Sequence, residues 1–318
     1  MANKNKCYIG IDTSNYTTSF AVCDAEGKIV ANIKKLLDVK EGERGLRQSD
    51  AVFSHVKNFP NVSERIREAV RGYEICAIGV STKPRDAEGS YMPCFMTGTA
   101  VAEVLSATHD VPLYSFSHQS GHIMAALYSS GSIEDLIKKE FVAFHVSGGT
   151  TEAVRVIPTK DSFSVDIVAE TADISAGQAI DRAGVLMGLR FPCGCELEKL
   201  ANAFCGKLPK AKICVRDGRC NLSGLENISE KMFADTNDKN LVAAYVLDFV
   251  AATLEAMTDY VRELYPDIPV IYAGGVMGNK ILQSRLGKYK NTYFSEPQFS
   301  SDNAAGIALL TKNKFEKA

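Results

Sequence analysis

No C-x-x-C pair occurs among the nine cysteines of this chain. An odd number of thiols scattered through strand-like and helix-like segments reads as reduced side chains in a cytoplasmic protein and argues against a disulfide framework. No apolar run approaches the length of a membrane span, and the run at 241–247 with its continuation is interrupted by Asp248. The first residues, Met-Ala-Asn-Lys-Asn-Lys, pass straight into a strand-like segment and lack the apolar core of a signal peptide. An excess of either charge is missing too. With a net charge of −2, any contact with nucleic acid has to rest on a local patch or on partner proteins. H-E-x-x-H is absent, and Gln119 cannot act as the glutamate base of that peptidase motif. What remains is 318 residues, 46% hydrophobic and 23% charged, an ordinary globular composition long enough for two lobes with separate cores.

The most informative short stretch is His118-Gln-Ser-Gly-His122. On a helix, imidazoles four residues apart share one face, close enough for one metal ion to take both. The following Ile123-Met-Ala-Ala-Leu-Tyr128 reads as helix. Two histidines leave a zinc or iron site unfinished, and a bare H-x-x-x-H is more often a cap and a core residue. Asp302, in Ser-Ser-Asp-Asn-Ala-Ala before the last helix, reads alone as an N-cap. It is also the best-placed carboxylate to complete a His-His-Asp set.

Two hairpins share a pattern. Cys7-Tyr-Ile-Gly-Ile-Asp-Thr-Ser14 breaks at small polar residues and resumes at Thr17-Thr-Ser-Phe-Ala-Val22. Phe141-Val-Ala-Phe-His-Val-Ser-Gly-Gly-Thr-Thr151 does the same and resumes at Glu152-Ala-Val-Arg-Val-Ile157. Their Ser-, Thr- and Gly-bearing turns suit close approach of backbone to phosphate oxygens. One hairpin opening each half is the pattern of a duplicated actin-like ATPase fold, with two lobes around a nucleotide cleft. Between them come helices around 49–59, 62–71 and 97–108 and strands at 76–80 and 112–117. The second half holds helices at 177–187, 196–203 and 240–264, a strand at 270–273, a helix at 279–286 and a closing helix. Strand–helix alternation of this kind predicts an α/β fold with largely buried sheets. The expected division is an N-terminal lobe over 1–115 and a C-terminal lobe over 116–318, the closing helix near 303–315 packing back on the first.

Val270-Ile-Tyr-Ala-Gly-Gly-Val-Met-Gly-Asn279 is a buried strand that breaks at Gly274 and Gly275, where a helix begins. Such glycines admit a ligand to the backbone, and the helix N-terminus favours anionic groups. Asp181, within Gly177-Gln-Ala-Ile-Asp-Arg182, is suited to ribose hydroxyls or simply to a solvated helix face. Gly194, in Pro192-Cys-Gly-Cys195, is able to lie under a planar base.

In collinear order the chain carries Ile9-Gly-Ile-Asp-Thr-Ser14, His118-x-x-x-His122, Val146-Ser-Gly-Gly149, Ala176-Gly-Gln-Ala-Ile-Asp181, Leu186-Met-Gly-Leu-Arg-Phe-Pro192 and Leu222-Ser-Gly-Leu225. Ala273-Gly-Gly-Val-Met-Gly-Asn279 and Ser301-Asp-Asn-Ala-Ala305 complete the set. Together they resemble the TsaD family of tRNA threonylcarbamoyladenosine synthases, formerly described as sialoglycoprotein endopeptidases. The resemblance implies the actin-like fold and one divalent metal ion, iron or zinc, held by His118, His122 and Asp302. It implies that His145, Val146, Ser147, Gly148, Gly149, Asp181, Gly194 and Asn279 contact ATP or an acyl-adenylate. It further implies a threonylcarbamoyl transferase acting on adenosine in tRNA, alongside a small actin-like partner and a P-loop ATPase. The departures are local. Where the family reads Ser-Cys-Asp-Glu-Thr, this chain has Ser14-Asn-Tyr-Thr-Thr18, so Tyr16 and Thr17 replace both acids. A longer charged loop from Lys83 to Pro93 replaces Gly-Pro-Gly-Leu, Thr150 replaces a histidine, and Cys193-Gly-Cys195 replaces Gly-Gly-Pro. These changes point to a divergent paralogue, for which a non-catalytic or differently specific nucleotide-binding role is the alternative to transfer. The cysteines at 193, 195, 205, 214 and 220 match no zinc-ribbon or ferredoxin spacing.

Overall fold

The computed structural model describes residues 5–14, 16–37 and 47–318. In chain order the strands and helices are β1 (Asn5–Ser14), β2 (Thr17–Asp24), β3 (Ile29–Leu36), α1 (Gln48–Ala69), β4 (Tyr73–Lys83), α2 (Cys94–His109), β5 (Leu113–Ser117), α3 (His118–Ser129) and α4 (Ile133–Leu136). There follow β6 (Phe141–Val146), β7 (Thr151–Pro158), β8 (Phe163–Thr171), α5 (Ala176–Leu186), α6 (Gly194–Ala203), β9 (Val215–Arg216), β10 (Arg219–Cys220) and α7 (Gly224–Thr236). The chain ends with α8 (Lys239–Leu264), β11 (Val270–Ala273), α9 (Lys280–Leu286), β12 (Thr292–Phe294), α10 (Pro297–Ser300) and α11 (Ala305–Phe315). Two compact units result, Met1–Ile133 with Pro158–Ser164 and Gln298–Ala318, and Glu134–Ile157 with Val165–Pro297.

The first unit is built on a five-stranded sheet in the order β3-β2-β1-β4-β5. β1, β2 and β3 form an antiparallel meander, and β4 and β5 run parallel as crossovers through α1 and α2 allow. Side chains alternate across the pleat. Ile9, Ile11, Ile78 and Val80 therefore join Phe20, Ile33, Val62 and Ala102 in one core on the α1–α2 side. The intervening positions face α11, and two of them are Gly10 and Gly79. A Cβ on Gly10 would lie 2.4 Å from Ala308 N, and one on Gly79 would lie 1.8 Å from Thr311 Oγ1. α11 thus rests directly on the strand backbones. It crosses α3 just as closely, because a Cβ on Gly306 would fall 1.8 Å from Gly121 O.

The second unit holds a seven-stranded sheet, β12-β11-β6-β7-β8-β10-β9. β6 and β7 are the antiparallel hairpin, and β11 and β12 run parallel to β6. Phe144, Tyr272 and Phe294 sit ring to ring across β6, β11 and β12, with centroids 4.9 and 5.4 Å apart. Over the sheet lies α8, whose Val242, Val246, Val250, Met257 and Val261 are fully buried.

Three expectations need correction. Residues 118–129 lie in the first unit, not in a lobe opening at 116, because β5 runs directly into α3 and α3 packs on α11. The helices expected at 49–59 and 62–71 are one helix through Pro60. The lost backbone hydrogen bond is tolerated where Asn58 and Val62, on either side of the proline, are buried. α8, by length and composition, is apolar enough to cross a membrane, and Asp248 does not prevent this; 67% of its most apolar stretch is buried in the core.

The α3–α11 crossing makes a stability prediction. Gly306→Ala forces two backbones apart and lowers stability by about 1–3 kcal/mol. Gly224→Ala, at a position open to solvent at the start of α7, changes it by less than about 0.5 kcal/mol. Urea unfolding of both variants checks the contrast.

Candidate functional site

α3 begins at His118 because Ser117 caps it, its Oγ accepting from Ser120 N at 3.1 Å. His118 and His122 then project from successive turns of one face. Their Nε2 atoms approach to 2.9 Å, with ring centroids 4.3 Å apart. Asp302 Oδ1 lies 3.4 Å from His122 Nε2 and 3.7 Å from His118 Nε2. Metal–donor bonds near 2.1 Å place ligand pairs about 2.9–3.4 Å apart at octahedral to tetrahedral angles. The 2.9 and 3.4 Å separations fall in that range and the 3.7 Å one lies just beyond it, so a small movement of Asp302 toward His118 brings all three atoms onto a divalent ion of the kind that takes imidazole and carboxylate. Among the described residues this is the one group of three or more His, Cys, Asp or Glu with metal-binding geometry. Cys193 and Cys220 are buried, while Cys195, Cys205 and Cys214 are exposed.

The segment carrying Asp302 is held from two sides. Lys34 Nζ, on β3, donates to Gln298 O at 2.8 Å and Ser301 Oγ at 2.9 Å. Asn303 Nδ2 donates to Phe299 O and Ser301 O. On the far edge of the first imidazole, His118 Nδ1 meets Asp12 Oδ2 at 2.7 Å. Ser81 Oγ donates to the same oxygen at 2.6 Å, and Ser14 N donates to Oδ1 at 3.0 Å. Burial works against charge on all three groups, yet the opposite charges prevail. Asp12 is held below the usual carboxylate range by His118 and Ser81, and Asp302 by the two imidazoles. His118 is raised by Asp12 and then Asp302. Asp86 ties the start of α3 to the charged loop, accepting from Ser117 Oγ at 2.7 Å and Ser120 Oγ at 3.0 Å while pairing with Lys83 Nζ at 3.1 Å.

The first turn keeps neither acid. Tyr16 is 42% exposed, Thr17 is buried, and Asn15 lies outside the described residues. Thr18 Oγ1 meets His55 Nδ1 at 2.8 Å and accepts from Asn58 Nδ2 at 3.1 Å. Asp12 appears in the sequence as part of a motif without an assigned role. A carboxylate in a strand that reads Cys-Tyr-Ile-Gly-Ile-Asp is a signal that a buried partner exists. Lys34 had no such signal.

In the second unit, β6 and β11 are parallel neighbours, so the turns at their carboxyl ends lie side by side, the place where open α/β sheets bind ligands. Val146 leads into Ser147, and Gly148 and Gly149 are exposed with open space where a Cβ would stand. Gly274 has φ +105°, and a Cβ there would lie 2.1 Å from Val146 O. Gly177 is equally close-packed, 2.6 Å from Gly148 Cα by the same measure, and its N–H donates to Ser147 O. Ser175 Oγ donates to Gly148 O at 2.7 Å. Asp181 is one turn beyond Gly177 on α5, and its Oδ1 accepts from Cys193 N at 2.7 Å, which holds Gly194 beside it. Burial raises Asp181, against the pull of the Cys193 amide. His145 is half-buried on β6, opposite Glu152 and Ala273.

The amide donors expected for an anion at the start of α9 are already engaged. Asn279 Oδ1 accepts from Ile281 N and Leu282 N, and Glu198 Oε1 accepts from Lys280 N at 2.6 Å. A carboxylate at that position repels a phosphate. The glycine turns, with Gly275 also exposed, are the surfaces left open to one.

Comparison with solved structures gives the fold. Full-length HypF in a phosphate- and nucleotide-bound form matches 98% of this chain with TM-score 0.57 at 14% identity, and the match spans 47% of HypF. Component A of the (R)-2-hydroxyglutaryl-CoA dehydratase of Acidaminococcus fermentans matches with TM-score 0.53 at 14% identity over 98% of this chain and 99% of that one. A ROK family glucokinase from Streptomyces griseus matches with TM-score 0.52 at 12% identity over 96% of this chain and 98% of that one. The α/β, actin-like ATPase fold expected from the sequence is the one these proteins share. Among sequences, the tRNA N6-adenosine threonylcarbamoyltransferase of Streptococcus sanguinis is 29% identical over 330 residues, covering 99% of this chain and 94% of that protein. That of Riemerella anatipestifer is 26% identical over 337 residues with the same coverage. The TsaD model, described as tRNA N6-adenosine threonylcarbamoyltransferase, matches residues 28–309, and this chain belongs to that family.

Proposed function

We propose that this chain transfers a threonylcarbamoyl group from an adenylate donor to the exocyclic amine of an adenosine in tRNA, with one divalent metal, iron or zinc, held by His118, His122 and Asp302. Family membership over 28–309 supports the reaction class. The convergence of three donor atoms within 4.8 Å is the single observation that carries the metal assignment. When bound, such an ion supplies Lewis acidity toward an acyl or phosphate oxygen. In the transfer, the carbamoyl carbon exchanges its bond to the phosphate oxygen for one to nitrogen, the amine loses a proton, and the adenylate leaves. No protein nucleophile takes part. The chain's own residues bind and orient: Gly148, Gly149 and Gly275 let the nucleotide part of the donor approach backbone, Gly274 packs β11 against β6 behind them, and Asp181, one turn beyond Gly177 on α5, holds Gly194 beside it through Cys193 N. A small actin-like protein and a P-loop ATPase, in the cytoplasm, complete the assembly on this reading.

Tyr16 and Thr17 favour one alternative. Without a carboxylate on the first turn, the chain is instead a nucleotide-binding paralogue with a different acceptor or none. Metallopeptidase activity has no support in the site, since Gln119 stands where a glutamate base is needed.

Mass spectrometry of tRNA nucleosides, after incubation with donor and any required partners, decides between the two. Transfer is expected, and His118→Ala and Asp302→Ala each reduce it at least 100-fold. Normal nucleotide affinity with no modified adenosine favours the alternative. Gly148→Val, where a side chain meets no neighbour, is expected to weaken ATP binding at least tenfold by calorimetry while leaving the melting temperature within about 3 °C. Metal affinity is expected to fall as pH falls, because a proton on His118 Nε2, in the cationic ring that Asp12 and then Asp302 favour, takes the lone pair that a metal needs. Zinc titrations at pH 6.5 and 8 check the sign.

A further inference from the structure

We propose that Asp12 is a positioning residue that fixes the tautomer of His118 and couples the metal ligands to the first turn. The inference rests on the metal reading above and concerns a residue that touches neither metal nor substrate.

Asp12 is 1% exposed, so its carboxylate depends on protein donors. An ionised carboxylate only accepts hydrogen bonds. At 2.7 Å from Oδ2, His118 Nδ1 must therefore carry the hydrogen they share. The lone pair of the neutral ring is then on Nε2, the atom that faces His122 Nε2 and Asp302 Oδ1. A carboxylate behind a ligating imidazole both holds the ring orientation and makes it a better donor. Ser81 Oγ, from the neighbouring strand β4, donates to the same oxygen as a second, lesser support. Oδ1 meanwhile takes Ser14 N, closing an Asx-type turn at the point where β1 gives way to the residues standing where the family keeps its acids. One side chain thus sets the direction of a metal ligand and the start of the turn.

A purely structural Asp12 makes different predictions from a positioning one. The measurements use the full chain without tRNA or donor, so their outcome is separate from that of the transfer assay. Histidine side-chain nitrogen NMR of the metal-free protein near pH 9.5 is expected to show His118 protonated on Nδ1. A hydrogen on Nε2 overturns the proposal. Zinc competition with a chromophoric chelator is expected to give 10–100-fold weaker binding for Asp12→Asn, whose neutral amide no longer compels that tautomer. Ser81→Ala, which leaves the carboxylate in place, is expected to weaken zinc binding less than threefold. A folded Asp12→Asn with wild-type zinc affinity and an unchanged His118 tautomer also overturns the proposal. If Asp12→Asn does not fold, the wild-type tautomer and the Ser81→Ala titration decide. A wild-type chain that binds no zinc but shows the Nδ1–H ring supports the tautomer assignment and counts against the metal reading alone.

Discussion

The close crossing of α3 and α11 is the constraint on which the first unit's chemistry depends. Gly121 lies between the two histidines, and Gly306, in the first turn of α11, lies four residues beyond Asp302. Their backbones approach so closely that no Cβ fits between them. His118 and His122 are set on one face by the helix alone. The aspartate comes from 180 residues later in the chain, and only the packing of α11 on α3 and on β1 delivers it. Gly10 and Gly79 extend the same logic to the sheet, removing side chains where α11 lies on the strands.

Around that crossing, polar side chains convert proximity into direction. Asp12 orients one imidazole from behind, Lys34 and Asn303 hold the loop that carries the carboxylate, and Asp86 secures the helix start. Asp12, Lys34 and Asn303 are hydrogen-bonded groups in a partly or fully buried setting, where an unmatched partner is costly, whereas Asp86 is exposed. The second unit uses a different device. Its glycines bring β6, β11 and α5 into backbone contact and leave Gly148, Gly149 and Gly275 open. Glu198 and Asn279 engage the α9 amides, which leaves the exposed glycines of the turns as the open backbone of this region.

The sequence was most legible where function is local. H-x-x-x-H, the paired glycines and the hairpin turns each declare themselves within a few residues, and the strand–helix alternation was enough to expect an α/β fold. It was least legible where function depends on contacts far apart in sequence. Asp12 and His118 are separated by 106 positions, and no periodicity connects them. Lys34 looks like any exposed strand lysine until the Asp302 loop is placed over it. Pro60 reads as a helix break because local propensity ignores the buried residues on both sides. The boundary near 115 was misplaced for a related reason: chain continuity suggests a new lobe at α3, but packing returns both α3 and the C-terminal helix to the first sheet.

The central claim is that two imidazoles and one carboxylate of this chain hold a divalent ion. X-ray absorption spectroscopy of the purified, metal-loaded protein tests it most directly. One ion per chain is expected, with two imidazole nitrogens and additional oxygen donors at about 2.0–2.2 Å. Sulfur donors at about 2.3 Å would place the ion on the cysteines and contradict it.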